Sequence, residues 1–317
     1  MLKELKFVQG AVAKKDLMPA MTHFAIEQGH VRSYNGVLAL SSPIPFDIDC
    51  KPKAAPLVQA ISHCEETVAL SMTPAGKLRI QSGAFRAFVE CVEGETAHVM
   101  PEGVTVHFNG AALLSALRTV SPFIGNDASR PWSNGILLDG SSAFATNNVC
   151  LIEYWIGDQF PQRVNIPEVA IREILRIGEA PTHGQIGERS MTFHYTDGRW
   201  IRTQLLSTDW PDLSKILNRE ADAKPIDLRI FDGLKTLKNF VDKMGRIIFD
   251  EGVMRTHFDE GMGAAFDLPE SKTVGIYRLE MLQLLQGIAQ RIDFTTYPAP
   301  CLFFGDRVRG AIIGMRQ

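Results

Sequence analysis

Ser133–Asn148 reads SNGILLDGSSAFATNN. It is a β-run, a turn at Asp139-Gly140 and a second β-run, the pattern of a hairpin. Just upstream, Gly110–Val120 (GAALLSALRTV) has helical apolar spacing. The helix-then-hairpin pair occurs twice more. Leu2–Lys15 (LKELKFVQGAVAKK) precedes Thr22–Asn35 (THFAIEQGHVRSYN), and Phe231–Lys243 (FDGLKTLKNFVDK) precedes Gly245–Asp259 (GRIIFDEGVMRTHFD). A second helical type appears at Ala54–Ser62, Pro167–Gly178 and Tyr277–Arg291. Pro167 suits a first helical position, where a missing N–H costs nothing. Each of these helices is followed by another hairpin pattern: Val68–Val92, Arg189–Ser207 and Pro300–Met315, with turns at Pro74-Ala75-Gly76, Thr196-Asp197-Gly198 and Gly305-Asp306.

Equivalent helices start 108 to 121 residues apart. That period is too long for a solenoid and long enough for an independent core. The reading is an α+β chain of three repeated domains, each with two helices packed on antiparallel sheets: residues 1–100, 101–220 and 221–317. The polar, Pro-containing stretches Val92–Gly103 and Ile216–Asp227 join them.

Composition fits a soluble globular protein: 45% hydrophobic and 22% charged residues over 317 positions. The five cysteines are scattered and form no CxxC pair, which predicts reduced thiols and a cytoplasmic location. The N-terminus MLKELKFVQG lacks a signal-peptide core, and no apolar run is long enough to span a membrane. Phosphate-loop, HExxH and GxSxG motifs are absent, and Gly261-Met262-Gly263 is only a fragment of a dinucleotide fingerprint. His63-Cys64 and His194 read as structural. These observations predict no catalytic residues, no metal and no cofactor.

The net charge of −3 excludes whole-surface attraction to nucleic acid, so any DNA contact needs a local cationic face. The six helical stretches carry a net +6, which leaves −9 for the rest of the chain. Lys3 and Lys6, Arg172 and Arg176, and Lys235 and Lys238 each share a helical face by their spacing.

With these residues the chain resembles the bacterial β sliding clamp, the processivity subunit of the replicative DNA polymerase. Ala145-Thr146-Asn147-Asn148-Val149-Cys150-Leu151 looks like the Ala-Thr-Asp-Gly-His-Arg-Leu motif that ends a hairpin of that family. Trp210-Pro211-Asp212-Leu213 is similar to its Phe-Pro-Asp-Tyr, and Ala311–Gln317 (AIIGMRQ) to its C-terminal Val-Val-Met-Pro-Met-Arg-Leu. The chain departs by starting almost at its first helix, without the family's first strand, and by shorter domains, which fits a phage or prophage member.

The resemblance implies a non-catalytic DNA clamp that closes head to tail as a homodimer around duplex DNA without reading sequence. It implies DNA contacts from Lys14, Lys15, Arg118, Arg130, Trp132, Arg172, Arg176, Lys235 and Lys238. It also implies a pocket for short peptides of a DNA polymerase and a clamp loader, formed by Thr146, Asn148, Val149, Cys150, Leu151, Pro211, Lys215, Ile216, Met244, Val274, Tyr277, Ile312, Ile313 and Met315. Val149-Cys150 in place of His-Arg, and Ile313-Gly314 in place of Met-Pro, predict an altered peptide preference. The alternative reading is a clamp-like adaptor or decoy that binds such peptides without encircling DNA. A further alternative is an enzyme with a site around Cys150.

Overall fold

The computed structural model describes residues 1–15, 18–46, 48–65, 67–94, 96–97 and 99–316. Glu95 and His98 of the first joining stretch, and Gln317 of the C-terminal motif, lie outside them. The elements follow the repeat read from sequence. The first set is α1 (Leu2–Val8), β1 (Ala25–Glu27), β2 (His30–Tyr34), β3 (Leu38–Pro43), α2 (Ala54–Ser62), β4 (Ala69–Met72), β5 (Lys77–Ser82) and β6 (Phe85–Glu90). The second is β7 (Val104–Val106), α3 (Gly110–Val120), β8 (Gly135–Asp139), β9 (Ser142–Thr146), β10 (Cys150–Trp155), β11 (Val164–Pro167), α4 (Glu168–Ile177), β12 (His183–Ile186), β13 (Ser190–His194) and β14 (Trp200–Gln204). After the short helix α5 (Ser214–Leu217), the third is β15 (Lys224–Pro225), α6 (Arg229–Leu237), β16 (Arg246–Asp250), β17 (Val253–Arg255), β18 (Ala265–Asp267), β19 (Gly275–Arg278), α7 (Leu279–Gln283), β20 (Arg291–Ile292), β21 (Cys301–Gly305) and β22 (Val308–Ile312).

Four expectations about helices are corrected. The stretch read as Leu2–Lys15 is helical only to Val8 and closes with a 3-10 turn over Gln9–Ala11. At Gly10 a Cβ would fall 1.7 Å from Glu173 Oε1, so only glycine lets the turn and that side chain meet. The helix expected over Phe231–Lys243 is Arg229–Leu237, and that expected over Tyr277–Arg291 is Leu279–Gln283. Pro167 is not the first helical residue but the last of β11, opposite Gly135, and the next N–H, of Glu168, donates to Asn134 O. A missing donor is equally harmless at that strand end.

The compact units do not follow the repeat boundaries. Unit 1 comprises Met1–Leu114 and Val169–Leu205, and unit 2 Ser115–Glu168 and Leu206–Gln317. The cause is strand pairing. In unit 1 one sheet runs β1-β2-β3-β14-β13-β12-β7, so β14, from the second set, pairs with β3 of the first. In unit 2 one sheet runs β11-β8-β9-β10-β22-β21-β20-β15, so β22, from the third set, pairs with β10 of the second. Unit 1 also holds the sheet β4-β5-β6, and unit 2 the sheet β18-β17-β16-β19.

Apolar faces of the helices close each core. In unit 1, Leu5, Phe7 and Val8 of α1 are buried, as are Phe24, Ile26, Leu40, Leu57 and Ile61. Ala170, Ile171 and Ile174 of α4 are fully buried at i, i+1 and i+4, a stripe that leaves Arg172 and Arg176 on the outer face. In unit 2, α6 buries Ile230, Leu234 and Leu237. At Gly233 of α6 a Cβ would come within 2.9 Å of the Phe266 ring, so the glycine sets how closely this helix lies on its sheet. No helix among the described residues is long and apolar enough to cross a membrane.

Candidate nucleic-acid surface and peptide cavity

In unit 1, α1 and α4 flank a groove of about 400 Å³ lined by Leu2, Lys3, Lys6, Phe7, Arg176, Ile177, Glu179 and Arg199. Its cations are not equivalent. Arg199 is buried, its guanidinium 4.8 Å over the Phe7 ring and paired with Asp197 (2.6 Å) and Glu179. Its charge is spent internally. Arg176 pairs with the buried Glu173 (2.5 Å), which raises its pKa, and its Nη2 also donates to Phe7 O at 3.1 Å. Lys6 stands exposed beside them. Lys3, Lys6 and Arg199 have no place among the expected DNA contacts, and only the packing of α1 beside α4 brings them to the groove.

Of the remaining expected DNA contacts, Lys14 and Lys15 are exposed beyond the 3-10 turn in unit 1, and Arg172 is exposed on α4. In unit 2, Arg118 is exposed in the last turn of α3, and Lys235 and Lys238 are exposed at the C-terminal end of α6, opposite its apolar stripe. Cations at helix C-termini also meet the negative end of the helix dipole.

Arg130 and Trp132 sit elsewhere than sequence grouped them. Both line a cavity of about 330 Å³ in unit 2, with Thr146, Asn148, Val149, Cys150, Leu151, Pro211, Leu213, Ile216, Pro300, Ala311 and Ile313. Eight residues expected in a peptide pocket therefore meet here, and local geometry explains how. Asn147 Oδ1 accepts from the N–H groups of Val149 and Cys150 (3.1 and 2.7 Å), and Asn148 takes φ of 68°. That left-handed turn is what the Asp-Gly of the resembling motif would supply, and two asparagines make it here. Arg130 Nη1 donates to Asn148 Oδ1 at 2.8 Å and so holds the cavity rim. The backbone N–H and hydroxyl of Ser129 bond Asp127, keeping its carboxyl below the usual range and fixing the loop that carries Arg130. The Trp132 ring lies 5.0 Å from that of Trp210, which is buried beneath.

The other expected pocket residues fall outside this cavity. Ala311 and Ile313 line it, whereas Ile312, opposite Cys150 in the ladder, is wholly buried and does not. Tyr277 is wholly buried, its hydroxyl 3.2 Å from Cys301 Sγ and its ring against Phe249, Phe294 and Tyr297. Met244 and Lys215 are exposed without lining the cavity, and Met315 is tied by its N–H to Ile276 O. Val274 borders a separate cleft of about 920 Å³ in unit 2, floored by Ile226, Ile230, Ile292 and Phe294. Leu213, Pro300 and Ala311 were missed, because a small or loop residue leaves no periodic signal. Cys150 is buried and its thiol is pushed up to about 12 by desolvation, the state of a packing residue and not of a nucleophile.

No protein-family model and no curated protein matches the chain. Solved structures do. The β subunit of the DNA polymerase of Streptococcus pyogenes superposes with a TM-score of 0.85 at 14% identity, covering 100% of this chain and 97% of its own. The Pseudomonas aeruginosa sliding clamp (DNA polymerase III subunit beta) bound to griselimycin gives 0.83 at 15%, with the same coverage. The Helicobacter pylori β clamp bound to a DNA ligase peptide gives 0.79 at 13%, again with the same coverage. The chain thus has a DNA-clamp fold. More narrowly, it is the fold of the bacterial β sliding clamps, over its whole length.

Proposed function

We propose that the protein is a DNA sliding clamp: a processivity factor that closes as a head-to-tail homodimer of three-domain chains around duplex DNA and tethers a polymerase through the cavity rimmed by Arg130 and Trp132. One observation carries the ring. The last strand of the second set, β14, pairs with β3, the third strand after the first helix of the first set, and the last strand of the third set, β22, pairs with β10, the third strand after the first helix of the second. By the same rule β6 requires β18. Among the described residues those two are edge strands, each with a single strand partner, β5 and β17 respectively. Within one chain the rule leaves both ends open, so β6 of one copy meets β18 of another, a heterologous contact that closes after two chains. Phe88 on β6 is 56% exposed, an apolar residue that such a seam would cover.

The outward-facing Lys14, Lys15, Arg118, Arg172, Lys235 and Lys238 then supply sequence-blind phosphate contacts, with Arg176 partly engaged inside its own chain. Ring topology, not contact strength, retains the DNA, so a modest cationic surface on an acidic chain suffices. The cavity takes an apolar side chain of a short partner peptide, with polar atoms of Arg130 and Asn148 at its rim. Polymerases and clamp loaders are the partner class. Light scattering tests the assembly: a ring has twice the 35.2 kDa chain mass. Retention on closed circular plasmid with loss on linearisation tests encirclement. A monomer that binds peptide without plasmid retention selects the adaptor reading instead.

A further inference from the structure

We propose that Cys50 and Cys91 form an oxidation site: a thiol pair that closes to a disulfide at the corner where β6 ends. The five cysteines are all free thiols in the structure, and these two are neighbours. Pro52 and Cys91 stand directly opposite each other in an antiparallel bridge, flanked by Lys53 N–H to Glu90 O (2.9 Å) and Val92 N–H to Lys51 O (3.0 Å). This is a non-hydrogen-bonded pair, the closer of the two kinds. Cys50, two residues before Pro52, shares its side-chain face and is the diagonal neighbour of Cys91. The two thiols lie close enough for each to perturb the other's titration. Cys50 is itself fixed by two backbone bonds with Ile26, its N–H to Ile26 O (3.0 Å) and its O from Ile26 N–H (2.9 Å). Both sulfurs are therefore presented by paired backbone and not by mobile loops.

The two thiols differ in access. Cys50 is buried and Cys91 is half-exposed. Burial pushes Cys50 up to about 12 and raises Cys91 as well, so the pair is quiescent at neutral pH. Adjacency is what favours closure, because the second step is intramolecular. With oxidised glutathione as oxidant, the Cys91 thiolate attacks one glutathione sulfur and expels glutathione thiolate. The Cys50 thiolate then attacks the Cys91 sulfur and expels the second glutathione. The protein loses two hydrogens, one disulfide is reduced to two glutathione thiols, and the Cys50–Cys91 bond remains. Closure spans a loop of 41 residues, and removing its freedom from the unfolded chain stabilises the fold. The proposal stands whether or not the chain forms a ring.

The test is the wild-type protein incubated with oxidised glutathione at mildly alkaline pH, digested without reduction and analysed by mass spectrometry. The expected result is a linked peptide pair joining Cys50 to Cys91, two hydrogens lighter than the reduced pair and carrying no glutathione there. In Cys50→Ser, glutathione is expected to stay on Cys91. A stable glutathione adduct on Cys91 of the wild type, or a Cys91 that remains a free thiol, overturns the proposal. The oxidised protein is also expected to melt about 5 °C higher than the reduced one. An unchanged or lower midpoint overturns the claim that the corner accepts the bond without distortion.

Discussion

Arg176 Nη2 donates to the backbone carbonyl oxygen of Phe7 across 3.1 Å and so joins α4 to the C-terminal turn of α1. An arginine that the family resemblance implies as a DNA contact is thus also a helix cap inside unit 1. Removing it leaves Glu173, 7% exposed, without its counter-charge. Arg176→Ala is expected to destabilise the protein by about 2 kcal/mol. Arg176→Ala with Glu173→Gln is expected to recover part of that loss. Denaturant unfolding of the three proteins measures it, and equal stability of wild type and Arg176→Ala refutes the capping role.

Gly10 lies against the same Glu173 carboxylate, where a methyl group would fall 1.7 Å from an oxygen. Gly10→Ala is expected to cost about 1–3 kcal/mol through overpacking. Combination with Glu173→Ala is expected to be less than additive, because the second change removes the obstacle. Thermal or denaturant unfolding of the single and double variants measures the coupling.

The cationic outer faces lead to a salt experiment. Replacing Lys235 and Lys238 by alanine is expected to leave stability unchanged, since both are exposed. It is expected to lower the slope of log affinity against log salt by roughly 0.9 for each phosphate no longer neutralised. An unaltered slope removes α6 from the DNA surface.

The cavity of about 330 Å³ is lined by Trp132 and Ile313 among others. Trp132→Ala is expected to weaken partner-peptide binding about tenfold or more, in line with loss of an aromatic anchor. Because Val149 and Cys150 stand where the resembling motif has His-Arg, a peptide of the type that bacterial β clamps take is expected to bind weakly. Fluorescence titration with a dye-labelled peptide reads both. Tight binding of that peptide contradicts the altered preference.

The rings of His183 and His194 stack at 4.5 Å in unit 1. Burial, and then the neighbouring His183, lower the pKa of His194 below its ordinary 6.5. The folded state therefore binds its proton later than the unfolded one. The fold is free of this cost above the unfolded pKa of about 6.5 and loses stability as pH falls from there towards the folded value. His194→Asn is expected to flatten that part of the stability profile, and an identical slope in the variant refutes the assignment.

The sequence by itself determined the local units and their order. The hairpins at Ser133–Asn148 and its counterparts, and the helices Ala54–Ser62 and Gly110–Val120, form where apolar period and glycine turns place them. Those signals span a few residues and need no distant partner. Helix ends were less legible, because the turn that follows α1 packs Gly10 against a side chain 163 positions away in sequence, Glu173. Only the tertiary structure decided that β14 joins β3 and β22 joins β10, and hence that the compact units cut across the repeats. It also moved Arg130 and Trp132 to the cavity and Tyr277 and Ile312 to the core. Strand edges carry the same N–H and C=O groups whatever the side chains, so which edges meet is set by packing of the whole chain. A lysine or arginine reads alike on sequence whether it faces solvent, caps a helix or, as Arg199 does, lies buried between two carboxylates.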